Sequence, residues 1–203
     1  MLSAKPAAGA TGDDAGGGGI GIRLVATQDG LPEALTRARS QAKSSFGSGR
    51  VYLEKYLEQP SHVEVQVLAD QHGNAIHLFE RNCSVQRRNQ KVVERAPAPY
   101  LSEAQREEIC ELGRKICAHV NYECAGTVEF LMDMETGNFY FIEVNPRVQV
   151  EHTVTEEVTG IDIVQAQIMI AEGKSLAEAT GKASQYDVRL TGHALQTRIT
   201  TED

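Results

Sequence analysis

The segment from Asn138 to Glu151 constrains the fold most strongly, because polar residues recur in it at every second position. A β-strand directs alternate side chains to opposite faces, so an extended conformation would place these polar groups on one face above an apolar one. Proline interrupts a ladder of backbone hydrogen bonds, and regular pairing is therefore predicted to stop near Pro146. The predicted polar face consists of Glu143, Asn145, Arg147, Gln149 and Glu151, and the apolar face of Val144, Pro146, Val148 and Val150.

A second strand is predicted at residues 127–133, separated from the first by the turn-forming sequence Met-Glu-Thr-Gly-Asn. A hairpin centred on this turn places Glu129 opposite Glu143 and Leu131 opposite Phe141. Like charges that face each other destabilise a sheet. A divalent cation would remove the repulsion, because hard cations bind carboxylate and amide oxygens. The glutamate pair therefore indicates either a metal site or a solvated strand face that tolerates the repulsion.

A glycine run occupies residues 16–19 and continues through Ile20 to Gly21, just before a predicted strand at 22–26. Tandem glycines let backbone N–H groups approach a phosphate closely, but such runs are also common in linkers. The Lys-Ser/Thr pair of a Walker loop does not follow. A helix is predicted at 31–46, ending before Gly47.

The next region predicts strands at 51–57, 62–68 and 75–80, with a turn at 70–74 between the last two. His62, Glu64 and Gln66 alternate with valines and should share one strand face. The run from Arg81 to Lys91 is polar and basic within an acidic protein. It indicates either a solvated face or a segment that binds an anion.

Helices are predicted in the second half of the chain. Ser102 and Gln105 match a capping box that opens a helix reaching about His119. A second helical region is predicted at 155–173, in two pieces broken at 160–162, and a strand-like segment at 188–200. Cys110 and Cys117 fall on one apolar helix face.

Composition excludes several functional classes. The net charge of −8 argues against a general nucleic-acid binder, and no apolar run approaches the length of a membrane span. The first residues do not match a secretory signal. Because the four cysteines contain no C-x-x-C pair, reduced thiols in a cytosol-like compartment are expected.

Several motifs resemble the ATP-grasp portion of the biotin carboxylases, the module of biotin-dependent carboxylases that carries out the first half-reaction. They are Glu54-Lys-Tyr-Leu57, His62-Val-Glu-Val-Gln-Val, Glu80-Arg-Asn-Cys-Ser-Val-Gln-Arg-Arg-Asn-Gln-Lys-Val-Val-Glu94, Phe141-Ile-Glu-Val-Asn-Pro-Arg-Val-Gln-Val-Glu-His152 and Gly192-His-Ala-Leu-Gln-Thr-Arg198. The resemblance implies an incomplete α+β ATP-grasp fold. We expect residues 1–52 to form part of a glycine-rich ATP-lid subdomain, and residues 53–203 an antiparallel sheet core with flanking helices.

The resemblance also implies roles for individual residues. Metal ligation falls to Glu129, Glu143 and Asn145, bicarbonate binding to Lys91, Arg147, Gln149 and the backbone of Val150, and catalysis to Glu151, Arg147, Lys91 and Arg198. Nucleotide binding falls to Gly16, Gly17, Gly18, Gly19, Gly21, Glu54, Lys55, Leu57, His62, Gln86 and Asn89. Glu151 would deprotonate bicarbonate, and Arg198 would stabilise the biotin enolate.

The implied reaction is ATP- and bicarbonate-dependent carboxylation of biotin through carboxyphosphate, with Mg²⁺ or Mn²⁺ as the metal. Biotin would be carried on a separate domain, so the implied partners are a biotin carboxyl carrier and a carboxyltransferase, in a homo-oligomer. The expected compartment is the cytoplasm, or the mitochondrial matrix of a eukaryote. We expect the chain to be a piece of a longer polypeptide.

The sequence departs from the family pattern at three places. Asn89 replaces a histidine and Ile20 an arginine, and the lysine expected just before the glycines has only the distant Lys5 as a candidate. The sequence from Leu195 to Asp203 most resembles the pyruvate carboxylase branch, whereas Asn89 and Ile20 favour a urea or acyl-CoA carboxylase. A third alternative is a truncated, non-catalytic fragment that dimerises with an intact carboxylase.

Overall fold

The computed structural model describes residues 2–6, 23–88 and 90–201, and their side chains from residue 23 onward. Contacts group the chain into two compact units, one extending to Gln59 and the other beginning at Pro60. The functional boundary after residue 52 stays a prediction. Across the described residues, no helix combines the length and the apolar character needed to span a bilayer.

Among its described residues, the first unit contains a small antiparallel sheet and one α-helix. The strands of the sheet are β1 (Leu2–Pro6), β2 (Arg23–Val25) and β3 (Val51–Lys55), in the order β2-β1-β3. The helix is α1 (Leu31–Phe46). The predicted helix at 31–46 is confirmed. It ends because Gly47 adopts a left-handed conformation with φ of 73°, which glycine tolerates without steric cost.

The second unit is built on a six-stranded antiparallel sheet with the order β8-β7-β4-β5-β6-β9. Its strands are β4 (Pro60–Ala69), β5 (Ala75–Arg87), β6 (Gln90–Ala96), β7 (Cys124–Asp133), β8 (Phe139–Asn145) and β9 (Ala194–Thr197). Its helices are α2 (Glu103–His119), α3 (His152–Thr159), α4 (Ile163–Ala171) and α5 (Leu176–Thr180).

The predicted capping box at the start of α2 is confirmed. The Ser102 side chain accepts a hydrogen bond from the Gln105 backbone N–H, and the Gln105 side chain accepts one from the Ser102 backbone N–H. The break predicted at 160–162 is also confirmed. Gly160 ends α3 in a left-handed conformation, and Asp162 caps α4. The strand predicted at 188–200 is shorter than expected, and α5 was not predicted.

Helices cover both faces of the large sheet. The helix α2 packs against β4 and β5, where the odd-numbered valines of β4 meet Ile109, Cys110 and Cys117 in one core cluster. The helices α4 and α5 contribute to a second cluster around Leu68 and Leu78. All four cysteines are free thiols, as predicted.

Two details of the predicted hairpin are wrong. Glu129 does pair with Glu143, but the register then shifts, so that Leu131 lies opposite Tyr140 rather than Phe141. A β-bulge, which sets two residues of one strand against one of the other, produces such a shift. The strand ends at Asn145, next to Pro146, as predicted, but the chain then turns towards α3 and does not stay extended, so residues 143–151 do not form one strand face.

The basic run from Arg81 to Lys91 is neither a loop nor wholly solvated. It forms the end of β5 and the start of β6, and Arg81 is fully buried within the sheet. Because an unpaired buried charge is very costly, the position of Arg81 requires compensating partners.

Candidate functional site

Three glutamates line up across neighbouring strands on the sheet face opposite α2. Glu64 on β4 pairs in register with Glu129 on β7, which pairs in turn with Glu143 on β8. Glu64 is fully buried and Glu129 nearly so. Such a row of carboxylates is unstable without cations, so the charges around it define the site.

Lys91 is the first compensating cation. Its Nζ donates to Glu129 Oε1 at 2.8 Å and to Glu151 Oε1 at 2.6 Å, and it also donates to Glu64 Oε2. Burial opposes the ammonium charge, but the carboxylates, chiefly Glu64 and Glu129, outweigh it and hold the pKa of Lys91 above its usual range. Lys91 is therefore a fixed positive charge at the centre of three carboxylates.

His62 is the second cation. Its Nε2 lies 3.0 Å from Glu129 Oε2 and 3.7 Å from Glu64 Oε2. Burial lowers the pKa of His62, but the two carboxylates outweigh burial and raise it from 6.5 to about 9. Burial also raises the pKa of Glu129, but His62 and Lys91 prevail and lower it to about 2.

Arg81 is the third cation, and its guanidinium is the most deeply enclosed. Its Nε donates to Glu64 Oε1 at 2.7 Å and its Nη1 to Gln66 Oε1 at 2.7 Å. Further bonds join Nη1 to Thr155 Oγ1 at 3.0 Å and Nη2 to Thr127 Oγ1 at 3.2 Å. The sequence alone does not reveal this role, because Arg81 begins a basic run that indicates either a solvated face or an anion-binding segment.

Glu143 and Asn145 lie at the edge of the same site. Asn145 Nδ2 donates to Glu129 Oε1 at 2.9 Å and approaches Glu143 Oε1 at 3.5 Å. Within the part of the chain that the structure describes, Glu143 forms no ion pair. Two carboxylates and an amide oxygen are donors that suit a hard divalent cation, so these three residues fit Mg²⁺.

Gln149 and Glu151 enter the site from the turn before α3. Gln149 Nε2 donates to Glu129 Oε1 at 3.1 Å, whereas its buried Oε1 finds no donor among the described residues. Glu151 Oε2 accepts from Arg198 Nη2 at 2.7 Å, and Arg198 Nε lies 2.6 Å from Glu94 Oε1. The site thus contains an acceptor that lacks a donor and a carboxylate held between two cations.

Arg147 and Val150 are exposed at the rim of this site. The Arg147 guanidinium donates to the carbonyl of Val148 at 3.2 Å and to Asn145 Oδ1 at 3.4 Å. The carbonyl of Val150 accepts from Gln196 Nε2 at 3.4 Å.

The structure brings together some of the predicted nucleotide-binding residues. Gln86 Nε2 lies 3.2 Å from His62 Nδ1, so these two residues are neighbours in the second unit. Glu54 and Lys55 end β3 and Leu57 follows it, all in the first unit. The glycine positions 16–19 and 21, Ile20 and Asn89 lie outside the described residues, as does the side chain of Lys5.

The antiparallel sheet with helices on both faces is the fold of an ATP-grasp domain of the biotin carboxylase type. Residues 13–179 match the family described as the carbamoyl-phosphate synthase L chain, ATP binding domain, and the chain belongs to that family.

Known proteins share this sequence and fold. Pyruvate carboxylase 1 of Caenorhabditis elegans is 58% identical over 188 residues, which cover 93% of this chain and 16% of that protein. The chain matches Rhizobium etli pyruvate carboxylase with a TM-score of 0.88 and 57% identity, covering 100% of this chain and 17% of the other. The biotin carboxylase domain of Hydrogenobacter thermophilus 2-oxoglutarate carboxylase, in complex with MgADP and bicarbonate, gives a TM-score of 0.85 and 46% identity over 97% of this chain and 41% of that one. The chain therefore spans about a sixth of the length of the curated relative.

Proposed function

We propose that this chain supplies the bicarbonate and metal sites of a biotin carboxylase, which carboxylates biotin at the expense of ATP. The observation that carries the proposal is the Glu129–Glu143–Asn145 set beside the Lys91–Glu151 contact. The first group offers oxygen ligands to a divalent cation, and the second offers a base beside a fixed positive charge. The bicarbonate and MgADP named for the Hydrogenobacter thermophilus domain match these two functions.

Glu129, Glu143 and Asn145 would hold Mg²⁺ against the phosphates of ATP. A bound metal neutralises the charge that develops on a transferred phosphoryl group. Glu143 is the natural ligand because it forms no ion pair among the described residues, whereas Glu129 already contacts Lys91 and His62. Metal binding would therefore neutralise the charge of Glu143, which has no other cation beside it among the described residues.

Lys91, Arg147, Gln149 and the backbone of Val150 would bind bicarbonate. The guanidinium of Arg147 suits a planar oxyanion because it offers two parallel donors. The amide of Gln149 would line the same pocket, because it is buried beside Glu129 and its Oε1 has no donor among the described residues. These residues would fix the anion close to Glu151.

Glu151 would act as the base that removes the proton of bicarbonate. Its Oε1 is held by Lys91 and its Oε2 by Arg198, so the carboxylate is oriented by two cations. A positioned base contributes about 10²–10⁴-fold to a rate. The deprotonated bicarbonate would attack the γ-phosphate and displace ADP to give carboxyphosphate. Carboxyphosphate would then break down to CO₂ and phosphate. The phosphate would take the N1 proton of biotin, and Arg198 would stabilise the resulting enolate, whose N1 captures the CO₂. His62, Gln86 and Asn89 would contact the nucleotide, together with the glycines and the segment from Glu54 to Leu57.

Pyruvate is the proposed final acceptor, because the curated relatives at 53–58% identity are pyruvate carboxylases. A biotin carboxyl carrier and a carboxyltransferase would then act with this chain in an oligomer. The proposed compartment is the cytoplasm or the mitochondrial matrix.

The test is the Glu143→Gln substitution in the complete polypeptide that the gene encodes. Bicarbonate-dependent ATP cleavage should fall by about 100-fold or more, since even an outer-shell partner of a metal site is worth up to that factor. Glu135→Gln is the matched control, because it removes the same charge from the exposed turn of the same hairpin. Unchanged cleavage in Glu143→Gln would refute the metal assignment and the proposed function with it.

A further inference from the structure

Arg81 has no place in the proposed chemistry, although it is the largest fully buried side chain in the described part of the molecule. It makes four side-chain hydrogen bonds, to Glu64 and Gln66 on β4, Thr127 on β7 and Thr155 on α3. These bonds fix the guanidinium plane from three directions. Its charge is therefore held in one orientation, on the same sheet face as the site.

One of these contacts continues into the site. Glu64 accepts from Arg81 through Oε1 and from Lys91 through Oε2, so the carboxylate bridges the two cations. Lys91 in turn contacts Glu129 at 2.8 Å and Glu151 at 2.6 Å. The order of contacts runs from Arg81 through Glu64 to Lys91 and from there to the proposed base.

The balance of charges around Glu64 connects the position of Lys91 to Arg81. A lysine ammonium has three donors on a flexible stem and moves towards the strongest nearby negative charge. If Glu64 had no other cation beside it, its buried charge would attract Lys91 and withdraw it from Glu151. Arg81 neutralises the opposite oxygen of Glu64, which leaves Lys91 shared among three carboxylates.

We propose that Arg81 is a positioning residue for the bicarbonate site, acting through Glu64 to hold Lys91 beside Glu151. This inference rests on the proposed function for its catalytic consequence, but not for the placement of Lys91. Arg81 itself touches neither the proposed metal ligands nor the proposed base.

The first test measures the placement of Lys91 without any catalysis. Competitive labelling with acetic anhydride reports the reactivity of Lys91, whose side chain is 13% exposed, relative to Lys115, which is 66% exposed. Arg81→Lys removes the planar fork and weakens the charge-assisted bond to Glu64, which would then hold Lys91 more tightly, so labelling of Lys91 should fall by about tenfold. Arg106→Lys is the matched control, because Arg106 also donates through Nε to a buried carboxylate, Glu80, at 2.9 Å.

The second test uses steady-state kinetics in the complete polypeptide. Arg81→Lys should raise KM for bicarbonate by about tenfold while KM for ATP stays within about twofold, because only the anion site depends on Lys91 placement. Arg106→Lys should change neither constant. A merely structural role for Arg81 would affect both constants or neither.

The outcomes separate this inference from the proposed function. If wild-type protein shows no bicarbonate-dependent ATP cleavage, the proposed function fails, and labelling still decides the role of Arg81. If Arg81→Lys does not fold, the double variant Thr127→Val and Thr155→Val removes two acceptors of the fork without changing any charge, and should also lower Lys91 labelling. Lys91 labelling that stays at the wild-type level in a folded variant would overturn the inference.

Discussion

At the scale of single residues, His77 on β5 should control part of the response of the fold to pH. Its ring packs edge-on against Phe79, and its Nδ1 accepts a hydrogen bond from the Phe79 backbone at 3.3 Å, which requires a neutral Nδ1. Burial lowers the pKa of His77 from 6.5 to about 4; Arg114 adds to this effect and Glu111 opposes it. The folded state therefore disfavours the protonated ring.

The sign of the effect follows from the two pKa values. Above pH 6.5 the ring is neutral in both the folded and the unfolded state, so protonation of His77 takes nothing from the free energy of unfolding. As the pH falls towards 4, the unfolded chain binds the proton first and stability declines. Because the side chain is partly exposed, we expect a loss of about 1–2 kcal/mol rather than the full equivalent of the shift.

His77→Gln should remove this decline, as measured by urea unfolding at pH 7, 5.5 and 4. His119→Gln, at an exposed position at the end of α2, is the control for the loss of a histidine and should follow the wild-type curve. An identical pH dependence in His77→Gln and wild type would contradict the assignment.

At the scale of elements, Gly113 sets how closely α2 approaches β4. A Cβ built at Gly113 would lie 2.9 Å from both Cβ and Cγ1 of Val65, which is fully buried in the central part of the sheet. The Val65 Cβ is attached directly to the backbone and cannot move aside. Gly113→Ala should therefore lower the free energy of unfolding by about 1–3 kcal/mol, even though alanine favours a helix by about 1 kcal/mol.

Chemical denaturation of Gly113→Ala and wild type measures this difference. Glu108→Ala, at an exposed position of the same helix, should change stability by no more than about 0.5 kcal/mol. A Gly113→Ala variant more stable than wild type would mean that α2 lies farther from β4 than described.

Elements whose ends depend on local signals were the ones that sequence analysis predicted well. The helix α2 begins at the capping box of Ser102, and α1 ends where Gly47 adopts a left-handed conformation, so both limits follow from a few adjacent residues. The pairing of Glu129 with Glu143 also followed from a short turn. No local pattern reveals the register shift beside it, after which Phe130 and Phe141 face each other with their rings edge-on at 6.2 Å.

The interior of the site was beyond local patterns for a similar reason. Arg81 and Glu64 look like surface residues in the sequence, because charged side chains are seldom fully buried. They are tolerated inside only because partners from β4, β7 and α3 converge on them, including Thr155, 74 positions away along the chain. The family resemblance predicted that Lys91 and Glu151 belong to the site, whereas their 2.6 Å contact follows from the tertiary fold.

At the scale of the whole molecule, we expect the second unit to fold without the first. All three clusters of buried apolar residues found in the described chain lie between Val63 and Ala194. Lys91, its three carboxylate partners and the proposed metal ligands lie there as well. A hydrophobic core of its own, within a segment of ordinary domain length, is what a unit usually needs in order to fold independently.

Residues 60–203 produced alone should therefore unfold cooperatively on heating, as followed by circular dichroism. Leu68→Ala in the same segment should lower the transition by roughly 10 °C, because a large cavity in the core costs about 2–5 kcal/mol. Leu68 is fully buried in the cluster shared by the sheet, α4 and α5. A broad, non-cooperative transition, or one that Leu68→Ala leaves unchanged, would show that the core depends on the first unit.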